Sequence, residues 1–317
     1  MTYRQLGSSG LVVSAVGLGC NSFGATLPPD EVPRVVRAAV EAGITMFDTA
    51  DVYGGEPGMG EELLGAALEG RRDDVVIATK FGMDTQGLNG EDHGVRGSRR
   101  YIRRAVEGSL RRLRTDHIDL YQLHRPDPVT PLEETLGALD ELVREGKILY
   151  AGCSHVTGWE LVDADWTART AGLTPFISVQ NEYSLLSRGI EAEVVPAAAH
   201  VGAGILPYWP LASGLLTGKY RRGEPAPSGS RLEQRPERLA TADFDRIEAL
   251  QAVADQAGVS LLTLAMGGLS AQPGVASVIA GARTPEQVAQ NVAAGLWEPD
   301  ADALVAIDEA APGPASA

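Results

Sequence analysis

Four side chains of four different acid–base types each follow, or lie just beyond, a short apolar run: Asp48, Tyr53, Lys80 and His124. Asp48 closes the run from Ile44, Lys80 follows DDVVIAT (73–79), and His124 follows HIDLYQL (117–123). Tyr53 comes five residues after Asp48. These types suit reduction of a carbonyl group. A carbonyl that accepts hydride develops negative charge on oxygen, which must be met by a proton. A tyrosine hydroxyl, with an ordinary pKa of ~10, donates poorly unless its anion is stabilised. A neighbouring lysine ammonium favours the phenolate and lowers that pKa. A carboxylate keeps the lysine charged and aimed, and an imidazole adds a second hydrogen bond to the carbonyl oxygen. Singly, each residue has a plainer reading: a turn-starting Asp48, a rim aromatic Tyr53 packed on Pro57, a solvated Lys80, and a satisfied His124 beside Arg125-Pro126. The coincidence of all four is what argues for a site.

The elements that must position them alternate. Strands are expected at Val13–Gly19, Ile44–Asp48, Asp73–Thr79, His117–Leu123, Ile148–Ser154, Phe176–Gln180, Gly204–Tyr208 and Val275–Ala280, all short and rich in β-branched residues. Helical patterns lie at Asp30–Ala42, Glu61–Gly70, Ser98–Arg114, Pro131–Gly146, Trp159–Gly172, Glu191–Gly202 and Pro285–Ala294. Ser98 and Thr130 suit N-caps, and Thr284 to Gln287 reads as a capping box with proline at the first helical position. Eight strand–helix units imply a parallel sheet closed into an α/β, (β/α)8 TIM barrel, one domain over residues 1–317. Chemistry in such a barrel sits at the C-terminal ends of the strands, where the four residues fall. Gln5–Val13 reads as an N-terminal β-hairpin, Phe81–Gly97 and Leu211–Ala240 as long rim loops, and 310–317 as a disordered tail.

The net charge of −15 and the isoelectric point near 4.8 leave no basic footprint for nucleic acid. No uninterrupted apolar stretch of ~18 residues suggests a membrane span, and no leader is expected at the start. Two cysteines, Cys20 and Cys153, with no pairing or ligand spacing, fit a reducing, cytoplasmic setting and no metal site. Glycines 17 and 19 are not followed by the third glycine of a dinucleotide fingerprint, and Gly214–Tyr220 fails as a phosphate loop.

The strings RQLGSSGLVVSAVGLG (4–19), FDTADVYG (47–54), EELLGAAL (61–68), ATKFG (78–82), DLYQLHRPDP (119–128), SVQNEYSLL (178–186), PLASGLLTGKY (210–220) and GARTPEQVAQN (281–291) resemble the aldo-keto reductase family over essentially the whole chain. The resemblance is to the branch that holds bacterial sugar and aldehyde reductases and potassium-channel β subunits. It implies NADPH-dependent reduction of a small-molecule carbonyl, with Asp48, Tyr53, Lys80 and His124 as catalytic tetrad and Tyr53 as general acid. By the same resemblance, Ser154 and Gln180 are nicotinamide-amide contacts, His155 stands where many members have asparagine, and Tyr208 is the ring that stacks on the nicotinamide. Leu211, Ser213 and Gly214 correspond to the pyrophosphate clasp; Gly19, Asn21, Asp48 and Gly281 are further candidate cofactor contacts.

Arg283, Gln287 and Asn291 sit along the first turns of the last barrel helix. An arginine at a helix N-terminus is an anion site, which favours NADP over NAD. Phe23 and Trp209 are candidate apolar walls for substrate, and Asp84, Asn89, Glu91, Asp92, Arg231 and Arg235 lend the rim loops polarity. Trp159, Trp166 and Trp297 read as packing residues, and His93, His117 and His200 as non-ligands. Two other functions remain open: an alcohol or sugar dehydrogenase running in reverse, and a cofactor-bound regulatory subunit, disfavoured because no inactivation-type extension precedes Tyr3. Substrate identity and oligomeric state are not legible.

Overall fold

The β-branched runs form eight parallel strands because, sheathed by helices, they are buried on both faces. The computed structural model describes residues 1–314. An antiparallel hairpin, β1 (Tyr3–Gln5) and β2 (Val12–Ser14), precedes the barrel, with Tyr3 opposite Ser14. The barrel strands are β3 (Val16–Gly19), β4 (Met46–Asp48), β5 (Val76–Phe81), β6 (Ile118–Leu123), β7 (Ile148–Ser154), β8 (Phe176–Gln180), β9 (Gly204–Ile205) and β10 (Val278–Gly281). They run in the order β10-β3-β4-β5-β6-β7-β8-β9. The ends meet through Ile205 beside Val275 and Tyr208 beside Ile279, which closes the sheet on itself.

The seven expected helices are present as α1 (Val32–Glu41), α2 (Met59–Ala67), α3 (Arg99–Leu113), α4 (Leu132–Arg144), α5 (Gly158–Ala171), α6 (Val194–Val201) and α10 (Pro285–Gly295). Four helices escaped the sequence reading: a short α7 (Pro236–Ala240), α8 (Phe244–Gln256), α9 (Leu261–Ser270) and α11 (Ala301–Ala310). Helices α8, α9 and α11 enclose a second apolar cluster around Leu250, Leu264 and Ile307. Ser98 caps α3 as expected, accepting from the Tyr101 N–H. Thr130 does not cap α4: its hydroxyl donates to Asp127, and Pro131 holds the cap position. At α10, Thr284 accepts from the Gln287 N–H, but the Gln287 side chain accepts from the N–H of Arg283, one residue earlier than a capping box requires.

Three further expectations are corrected. Trp159 and Trp166 are 66% and 70% exposed, on the solvent side of α5, so neither packs. Ala310 ends α11, and Ala311 is buried with its carbonyl accepting from Arg188, so the expected disordered tail does not begin at Ala310. Residues 315–317 lie outside the described residues.

Candidate active site

Strands β4, β5 and β6 are neighbours, so their C-terminal ends bring Asp48, Lys80 and His124 to one rim. Lys80 is fully buried and its ammonium spends all three N–H donors inside the protein. It donates to Asp48 Oδ2 at 2.8 Å, the Thr49 carbonyl at 2.9 Å and Tyr53 Oη at 3.3 Å. Burial opposes charge on Lys80, yet the Asp48 carboxylate and then Tyr53 hold its pKa above the ordinary lysine value. The other Asp48 oxygen accepts from Gln180 at 2.8 Å and Gln122 at 3.4 Å, so Asp48 is pinned from β8 and β6 as well.

The expected depression of the Tyr53 pKa does not hold. Burial outweighs the pull of the Lys80 ammonium, and the hydroxyl titrates above its ordinary value. Because Lys80 donates to Tyr53 Oη, the phenol's own proton is free to be given elsewhere. The Tyr53 and His124 rings meet edge to face with centroids 5.8 Å apart. Burial, and then the field of Lys80, push His124 well below the ordinary histidine pKa, so the ring is neutral. Its Nδ1 is buried with no partner. An orphaned acceptor costs less than an orphaned N–H, so the proton belongs on Nε2.

The residues expected around the cofactor are spread along the ends of the other five strands, β7 to β10 and β3. Ser154 is buried and donates to the Gln180 carbonyl at 2.6 Å. Both ring nitrogens of His155 have protein partners: Nδ1 lies 2.9 Å from the His124 carbonyl and Nε2 lies 3.0 Å from Tyr208 Oη. Gly19 and Gly281 are side by side on β3 and β10, with Asn21 exposed just beyond. Leu211 opens a 3-10 turn in which Ser213 and Gly214 both adopt positive φ, +61° and +96°. Asn291 is turned inward, donating to the Gly281 carbonyl at 3.2 Å.

Phe23 is wholly buried in the main core and offers no wall to a ligand. Asn89 is likewise withdrawn from the rim, donating to buried Asp51 at 2.8 Å. Trp209 is flanked by guanidiniums, Arg238 at 5.3 Å and Arg231 at 5.9 Å from its ring. Arg238 also donates to Ser213 Oγ at 3.2 Å, and Arg283 to the Gly229 carbonyl at 3.2 Å. Burial first, and then Arg235, Arg238 and Arg283, lower the pKa of Arg231. None of these four arginines pairs with a carboxylate among the described residues. The sequence marks Arg231 and Arg235 as part of the polarity of the rim loops and gives no sign of Arg238; only the folded chain brings them near Arg283. Among the described residues, no group of His, Cys, Asp or Glu could hold a metal ion, and no single helix is long and apolar enough to cross a membrane.

Residues 15–312 match the family model described as the aldo/keto reductase family. A Bacillus subtilis protein named as an uncharacterized oxidoreductase, YrpG, is 36% identical over 320 residues, covering 99% of this chain and 97% of that protein. Two proteins named as probable voltage-gated potassium channel subunit beta are also similar. The one from Oryza sativa subsp. japonica is 37% identical over 304 residues and that from Arabidopsis thaliana 35% over 305, each covering 93% of this chain and 91% of the relative.

Proposed function

The chain belongs to the aldo/keto reductase family, and from that premise we propose that it reduces an aldehyde or ketone to the alcohol with NADPH, in the cytoplasm. The observation that carries this reading is the Tyr53 hydroxyl, which accepts from a fully buried Lys80 and keeps its own proton for a substrate oxygen. Bound NADPH would supply the hydride, from its nicotinamide C4. Tyr53 O–H protonates the carbonyl oxygen, and the Lys80 ammonium stabilises the phenolate left behind. Neutral His124, with its proton on Nε2, donates a second hydrogen bond that orients the carbonyl and supports the developing charge.

The residues fit such a cofactor. Ser213 and Gly214 are small residues in a turn of positive φ, which would let a pyrophosphate approach the backbone closely, although the Gly214 N–H is taken by the Leu211 carbonyl at 2.8 Å. Four arginines without carboxylate partners suit phosphate, and Arg283 stands immediately before the N-terminus of α10. Ser154 and Gln180 would hold the carboxamide and Tyr208 would back the ring.

A regulatory subunit is the second reading, favoured only by the names of the two plant relatives. The complete tetrad, with Asp48, Lys80 and Tyr53 joined by hydrogen bonds and His124 packed against Tyr53, supports turnover instead. The test is NADPH consumption by the purified chain with 4-nitrobenzaldehyde and methylglyoxal. Turnover with NADPH in clear preference to NADH is expected. Tight NADPH binding with no turnover on a broad carbonyl panel would overturn the enzyme reading, and preferred oxidation of alcohols with NAD+ would overturn both direction and cofactor.

A further inference from the structure

His155 occupies an unusual place: a histidine with φ of +56°, between the catalytic histidine and the ring expected beneath the nicotinamide. Asparagine, aspartate and histidine are the non-glycine residues that reach this left-handed region most readily. The hydrogen bonds around its ring fix the tautomer. Ser154 Oγ spends its proton on the Gln180 carbonyl, so it meets His155 Nδ1, 3.0 Å away, as an acceptor. The His124 carbonyl, 2.9 Å from the same nitrogen, is an acceptor too. Both neighbours require the proton on Nδ1. A neutral ring protonated there presents a bare Nε2, and Tyr208 Oη–H, 3.0 Å away, donates to it. Burial keeps the ring neutral, holding its pKa below the ordinary value against the His124 carbonyl bond.

We propose that His155 is a positioning residue that ties the Tyr208 ring to the backbone of His124, and that in doing so it gives up contact with the cofactor carboxamide. The second half rests on the functional reading above; the first does not. Ser154 and Gln180 already direct their donors to protein oxygens, Ser154 to the Gln180 carbonyl and Gln180 Nε2 to Asp48. With both His155 nitrogens engaged and the Ser154 hydroxyl spent, the second N–H of Gln180 Nε2 is the one donor these three side chains leave for the carboxamide. In exchange, the platform for the nicotinamide is fastened to the strand end that carries the substrate-orienting imidazole. Rings of Tyr53, His124, His155 and Tyr208 then follow one another at centroid distances of 5.8, 5.8 and 5.2 Å, so movement of the platform is passed to the tetrad.

Two measurements test this on the full chain. The first is 15N NMR of the imidazoles without cofactor, with His155 assigned through His155→Asn, a change the backbone conformation tolerates. A protonated Nδ1 and a bare, hydrogen-bonded Nε2 are expected, and Tyr208→Phe should move the Nε2 resonance. A proton on Nε2, or no response to Tyr208→Phe, overturns the proposal. The second is a double-mutant cycle on NADPH affinity, read by fluorescence titration. Tyr208→Phe should weaken binding roughly three- to tenfold in the unmodified chain, as for loss of one neutral hydrogen bond, and have no effect in the His155→Asn background. His155→Asn alone should tighten binding, because its amide restores a donor. Additive effects, or weaker binding in His155→Asn, would sink the cofactor half. Failure of the unmodified chain to bind NADPH would sink the functional reading, while the NMR result still judges the His155–Tyr208 bond.

Discussion

The two sides of the barrel rim are built on opposite electrostatic terms. On the β4–β6 side the charged pair of the tetrad is matched: the Lys80 ammonium has three acceptors, and Asp48 has Lys80 and Gln180 on its two oxygens. On the β9–β10 side Arg231, Arg235, Arg238 and Arg283 gather in a chain of net charge −15, and burial, added to by the other three guanidiniums, lowers the pKa of Arg231. The first side is finished without a ligand, so it can hold reacting groups in place before anything binds. The second would gain stability from an anion. The comparison teaches that the proton-handling residues sit just beyond strand ends, where packing fixes geometry, and the clustered arginines sit on rim segments and the short α7, where they can part.

The largest effects should come from the matched side. Tyr53→Phe removes the transferable proton and should lower kcat by about 10²- to 10⁴-fold while NADPH affinity is kept; near-normal turnover would break the reading of this side as the acid. Lys80→Met leaves the Asp48 carboxylate buried without its counter-ion, and denaturant unfolding should show a loss of about 3–5 kcal/mol. A loss below 1 kcal/mol would show that water reaches Asp48 and that this side is not sealed.

The cationic side should yield smaller and more selective losses. Arg283→Ala should weaken NADPH by about ten- to a hundredfold, the range for a hydrogen bond to a charged group, and leave NADH unchanged. Equal losses for both cofactors would assign Arg283 to the loop through its bond to the Gly229 carbonyl and not to a phosphate. The matched side also sets the pH response. Tyr53 must be protonated to act and its pKa lies above the ordinary value of 10; His124 must be neutral and its pKa lies well below 6.5. The kcat/KM for reduction should therefore be flat from about pH 7 to 9. A fall within that window would show that one of the two groups is not buried in solution.

Legibility followed the same division. Strand ends are readable because an apolar run that stops at a polar residue marks both the strand and the rim, which found Asp48, Lys80 and His124. What one run cannot show is the balance of forces on a residue. The sign of the Tyr53 shift depends on burial against the pull of Lys80, and sequence shows only the partner. Phe23 and Asn89 look available in a loop, yet one is in the core and the other is bound to Asp51. Trp159 and Trp166 look like core residues and face solvent, because helical spacing gives a shared face but not which way it turns. Arg238 could not be placed at all: it lies on the short α7, and the rim segment that carries this helix to Trp209 and Ser213 has no periodicity to read.

The smallest expected effect separates helix stability from anion binding on the cationic side. Thr284 caps α10 by accepting from the Gln287 N–H at 3.3 Å, directly after Arg283. Thr284→Ala removes that acceptor and should cost about 1 kcal/mol of stability, seen as a lower denaturant midpoint with an unchanged slope. The Gln287 side chain holds the Arg283 backbone N–H independently, at 2.8 Å, so the arginine keeps its place when the cap is lost. NADPH affinity should then change far less than in Arg283→Ala. If Thr284→Ala instead weakens NADPH as much as Arg283→Ala while sparing NADH, the helix end itself carries the phosphate selectivity, and the arginine cluster is only its surround.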